Sequence, residues 1–120
     1  MRMVTARFPI VVYPSEFEDI GRLTAHCLNL DLVADDNTLE GALTKLLETI
    51  EVQLDAAEQY HADPFRSAPQ KYWDILALAK PVPRELTERI VEETNRRHKG
   101  AQSKIEPSQI EIRNLEMANT

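Results

Sequence analysis

Cysteine, glycine and aromatic residues are scarce in this chain, and each scarcity excludes something. One cysteine, Cys27, in 120 residues rules out an intrachain disulfide, so the fold rests on its core, and a reducing compartment is the default location. Three glycines leave no room for the glycine-rich loops that cradle phosphates. His26, His61 and His98 show no ligand spacing, which leaves metal chemistry without support. No apolar run approaches the roughly 18 residues of a membrane span. The opening Met-Arg-Met-Val-Thr-Ala-Arg-Phe-Pro, broken by charge and by Pro9, has no apolar signal region. The expectation is a cytoplasmic protein without membrane contact and without a cofactor.

What is present is ordinary for one globular domain: 42% hydrophobic and 28% charged residues. The charge is unevenly placed. Residues 1–60 carry 4 Lys/Arg against 11 Asp/Glu, a balance of −7, whereas residues 61–120 balance at +1. An acidic half repels phosphates and suits a basic protein partner. Surplus acid also serves solubility alone.

Alternation over Arg7–Tyr13 sets Phe8, Ile10 and Val12 on one face of a strand, and Val11 and Tyr13 make the other face partly apolar. Residues 15–21 read as a hairpin loop. A second strand over Arg22–Cys27 places Leu23, Ala25 and Cys27 together, with Thr24 and His26 turned away. A third short strand covers Leu30–Asp35. Asn37 reads as the cap of a long helix over residues 38–59, with Glu40 in the reach-back position of a capping box. Leu39, Ala42, Leu43, Leu46, Leu47, Ile50, Leu54 and Ala57 give that helix one apolar face. Gly41 either weakens it or permits a close approach of helix and strand.

Residues 61–70 form a loop with two prolines. Helices over Lys71–Ala79 and Arg84–Lys99 follow, separated by Lys80-Pro81-Val82-Pro83, with Gly100 as the C-terminal cap of the second. Beyond Pro107, Ile110 and Ile112 alternate with Glu111 and Arg113 as a last strand. Pro9 has no N–H to donate, so a last strand that joins the first is expected to do so beyond residue 9, and an open sheet edge would serve as a seam between copies. The fold class is therefore α+β: a three- to four-stranded, mainly antiparallel sheet covered by one long helix. Residues 1–60 form a β-β-β-α core, and residues 61–120 add a helical appendage and a final strand on the same domain.

Two segments carry a family pattern: Leu23-Thr24-Ala25-His26-Cys27-Leu28-Asn29-Leu30, and Asp35-Asp36-Asn37-Thr38-Leu39-Glu40-Gly41-Ala42-Leu43. Their order and spacing resemble the core of HicB-like antitoxins, a partial RNase H-like fold, over residues 8 to 57. Asp36 stands where that family usually has glycine, and Gly41 replaces a usual glutamate. What the resemblance implies is a non-enzymatic binding protein. It would neutralise a small basic RNA-cleaving toxin by occluding the toxin's RNA-binding surface, with Asp31, Asp35, Asp36 and Glu40 facing the partner. The alternative is an orphan homo-oligomeric binding module without a toxin.

The tail reads helix, helix, strand, which is the wrong order for a ribbon-helix-helix. Glu85, Glu88, Glu92 and Glu93 share a helix with Arg84, Arg89, Arg96, Arg97 and Lys99, which argues against a DNA-recognition helix. Nuclease chemistry needs carboxylates gathered around two cations, and the first strand holds no acid. His26 and Cys27 alternate to opposite faces, so they form no nucleophile pair, and Cys27 reads as a small buried hydrophobe. Tyr72 and Trp73 suit either an interface or a small core.

Overall fold

The computed structural model describes residues 6–16, 21–97 and 105–115. Three strands open it: β1 (Phe8–Pro14), β2 (Leu23–Cys27) and β3 (Leu32–Asp36). Helix α1 (Leu39–Gln59) follows, then α2 (Gln70–Leu78), the two-residue strand β4 (Lys80–Pro81), α3 (Arg84–Arg97) and β5 (Ile110–Asn114). The sheet has the order β3-β2-β1-β5-β4. Its β1–β2, β2–β3 and β4–β5 pairs are antiparallel, and β1–β5 is parallel. The fold is α+β with a mixed, mainly antiparallel sheet of five strands, and a long helix covers one face.

Alternation along β1 divides the packing. Phe8, Ile10 and Val12 turn to a first face, where Leu43, Leu46, Leu47 and Ile50 of α1 and Ile90 and Val91 of α3 close the main core. Ile110 and Ile112 of β5 complete it, so both halves of the chain build one core. Val11 and Tyr13 turn to the second face, where Tyr72, Trp73 and Leu76 of α2 pack with Ala68 and Ala79. The two expected appendage helices therefore lie on opposite faces, and α3 is part of the principal core rather than an addition to it. Burying one large aliphatic side chain contributes about 1.5–3 kcal/mol, so these faces set the architecture.

Several expectations need correction. The last strand pairs with the first across position 9, in the register Phe8↔Ile110, Pro9↔Glu111, Ile10↔Ile112. The reason lies in the direction of the missing donor. Pro9 accepts from Leu28 N–H at 2.9 Å, so its backbone groups face β2, away from β5. The Leu28 carbonyl, which an N–H at position 9 would occupy, takes Ala68 N–H at 2.8 Å instead. Arg66 N–H bonds Asn29 C=O beside it at 3.0 Å, and the linker before α2 is held to the sheet at that gap.

The cap of α1 is Thr38, not Asn37: its Oγ1 accepts from Gly41 N–H at 3.0 Å. The expected third strand starts later, because residues 28–31 form a turn with Asp31 in the left-handed region, φ 52°. Gly41 does serve a close approach: a Cβ there would lie 2.6 Å from Asp36 Cγ and 2.8 Å from Thr38 Oγ1. Residues 17–20 of the expected hairpin loop, His98, Lys99 and the cap at Gly100 lie outside the described residues.

Candidate functional site

Strand β3 is one margin of the sheet, and no described strand pairs with its outer side. The hydrogen bonds Leu28 N–H to Pro9 C=O and Ser15 N–H to Arg22 C=O fix the alternation of the ladder. Arg22, Thr24, His26 and Leu28 turn their backbone groups to β1, so Leu23, Ala25 and Cys27 turn theirs to β3. On β3 the residues opposite these, Leu32, Ala34 and Asp36, are consumed. Val33 and Asp35 present their N–H and C=O groups outward.

That margin is partly closed from within the molecule. Lys45, on α1, donates its Nζ to the Asp35 carbonyl at 3.3 Å and lies 3.6 Å from Asp36 Oδ2. A lysine over a strand edge discourages indiscriminate pairing. The opposite margin, β4, is two residues long and contains Pro81, which protects it in another way.

The structure distributes the four expected partner-facing acids around β3. Asp31 precedes the strand, Asp35 and Asp36 end it, and Glu40 sits in the first turn of α1. Each has an internal contact. Asp31 Oδ1 accepts from His26 Nε2 at 2.8 Å, and Asp35 Oδ1 accepts from Thr24 Oγ1 at 2.6 Å. Asp36 Oδ1 accepts from Asn37 N–H at 2.6 Å. Glu40 pairs with Arg89 of α3 and is drawn toward the helix–helix junction, away from the other three. Asp31, Asp35 and Asp36 thus form the acidic rim of β3, and Val33, 53% exposed, is the apolar residue within it.

Behind the rim lies a buried polar relay. His26 bridges two partners, with Nε2 2.8 Å from Asp31 Oδ1 and Nδ1 3.0 Å from the Tyr13 hydroxyl; in the neutral imidazole that donates to Asp31, Nδ1 accepts from Tyr13. The Tyr72 ring meets the imidazole edge-on, with centroids 4.6 Å apart, and stacks on Tyr13 at 5.7 Å. Burial, then the neighbouring Tyr72 and acidic groups, push the Tyr13 phenol well above its usual range. A phenol so disposed is a poor nucleophile, and the relay instead ties β1, β2, the Asp31 turn and α2 together. Cys27 lies on the other face in the main core, and burial pushes its thiol up to about 12. It is no pair for His26.

Among the described residues, no three His, Cys, Asp or Glu side chains are grouped to hold a metal ion, and no helix is long and apolar enough to cross a membrane. Lys45 and Val33 escaped the sequence reading. Lys45 lies six residues past Leu39, beside the apolar stripe, and only the sheet order shows that it reaches the open edge. Comparison with known proteins finds no matching family model, no matching curated protein and no matching solved structure.

Proposed function

We propose that this chain is a HicB-like antitoxin-type binding protein of the cytoplasm. It neutralises a small basic RNA-cleaving toxin by covering the surface with which that toxin holds RNA. The observation that carries the reading is the partly open β3 edge, where Val33 is exposed between Asp31 and the Asp35–Asp36 pair. An acidic rim speeds encounter with a basic partner, and an apolar centre slows its release. The β-β-β-α arrangement of residues 8 to 59 agrees with the resemblance in the sequence.

Co-expression with the small basic protein of the adjacent reading frame tests the proposal. Growth rescue with a joint gel-filtration peak is the expected result. Asp35→Lys with Asp36→Lys is expected to weaken binding and flatten its salt dependence. Unchanged binding in that variant, with an unchanged melting temperature, would remove the acidic rim from the mechanism.

A second reading is a self-associating binding module without a toxin. The exposed Val33, on an edge strand whose outer side no described strand pairs with, favours it. Two copies meeting edge to edge would bring their aspartates together, and that repulsion disfavours it. A concentration-dependent homo-oligomer with no toxicity to rescue would select this second reading.

A further inference from the structure

We infer that a cavity across the outer edge of β5, open between the two faces of the sheet, binds a small carboxylate with a flat apolar body. The site is a cavity of about 540 Å³ between α2, the β1–β5 pair and the start of α3. That volume lies within the usual range for small-molecule pockets, about 300–1,000 Å³.

Three strands and two helices build it. Arg7 and Pro9 share the second face with Val11, since Phe8 and Ile10 turn to the core. The register Pro9↔Glu111 puts Glu111 beside them as floor. Beyond β4 the pairing continues only through Val82 N–H to the Ile112 carbonyl at 3.0 Å, so no described strand pairs with the outer side of β5 at Ile110. Trp73 and Leu76 form one wall, and Arg84 stands at the other. The indole N–H is already committed to Ser67 Oγ at 3.1 Å and Ala68 C=O at 3.2 Å. The ring is thereby held in place and offers the cavity its hydrocarbon surface alone.

The charge balance selects an anion. Glu88 is paired with Arg84 at 3.1 Å, and Glu111 with Arg113 at 2.7 Å. Arg7 remains: among the described residues no acid pairs with its guanidinium, although the chain carries a net −6. A guanidinium without an acid partner, lining the same cavity as an indole and a leucine, matches a planar carboxylate joined to an apolar ring. The guanidinium fork meets both carboxylate oxygens, and the ring lies against Trp73.

The lone tryptophan makes the test direct. The full chain is titrated with 3-phenylpropionate and, separately, with the neutral 3-phenylpropanamide. Trp73 emission and its indole N–H resonance are followed together. The acid is expected to give saturable changes in at least one signal, and the amide to bind at least about tenfold more weakly, as loss of one charge-assisted contact dictates. Arg7→Gln should cost the acid a similar factor without moving the melting temperature, because Arg7 is exposed. Arg7→Lys should recover part of it. Neither signal changing up to the solubility limit, equal binding of acid and amide, or an unaffected Arg7→Gln protein would each overturn the assignment.

Discussion

Replacing Gly41 with alanine separates two opposed effects. Alanine favours a helix by about 1 kcal/mol over glycine, and propensity alone predicts stabilisation. The structure predicts the reverse sign. The added methyl would meet Asp36 Cγ at 2.6 Å and Thr38 Oγ1 at 2.8 Å, and both side chains must move. Moving Thr38 weakens the cap on Gly41 N–H, about 1 kcal/mol, and moving Asp36 weakens its bond to Asn37 N–H, about another 1 kcal/mol. The net effect is a loss of about 1 kcal/mol, seen in urea unfolding followed by circular dichroism. In an Asp36→Ala background most of the obstruction is gone, and Gly41→Ala should be neutral or stabilising. The double-mutant cycle then returns a coupling of about 1–2 kcal/mol. Stabilisation by about 1 kcal/mol in both backgrounds, with no coupling, would refute the close approach.

Tyr13→Phe removes the hydroxyl bonded to His26 Nδ1 and leaves a buried ring nitrogen without its partner; a loss of about 1–3 kcal/mol is expected by chemical denaturation. Cys27 and Tyr13 both have folded-state values raised by burial, so the unfolded chain ionises first as pH rises. Their contribution is intact below pH about 9 and falls by up to about 1.4 kcal/mol per pH unit per group between the unfolded and folded values. Cys27→Ala should reduce that slope between pH about 9 and 12; an identical slope would place the thiol in water. Lys45→Ala should change stability by no more than about 0.5 kcal/mol yet increase self-association in sedimentation velocity, because the Asp35 carbonyl is then uncovered.

Periodicity carried most of this architecture. Alternation along β1 and β2 and the apolar stripe of α1 place side chains on the faces where the structure has them. Periodicity has no sign, however, and it cannot tell a parallel neighbour from an antiparallel one. The β1–β5 pairing therefore emerges only when the crossover through α1, α2 and α3 is seen. Strand β4 has two residues, one of them proline, and presents no period to read. Asn37 and Thr38 are adjacent residues of equal capping chemistry, and only the position of Thr38 Oγ1 decides between them. The acids of the candidate site were legible as types, but their company was not. That Glu40 turns toward Arg89, or that Asp31 holds His26, follows from tertiary placement.

The place of β5 has a consequence for how the chain matures. Its neighbour in the sheet is β1, so the central pairing joins Phe8 to Ile110. During synthesis the β1–β2–β3 meander and α1 are finished while β5 is still unmade, and β1 stands as a bare apolar edge throughout that interval. Contacts so distant along the chain also form slowly. The nascent protein is thus most prone to wrong pairing at the strand that ends up most deeply enclosed. A contact that covered that edge until residue 110 is translated would therefore protect the folding of the whole sheet.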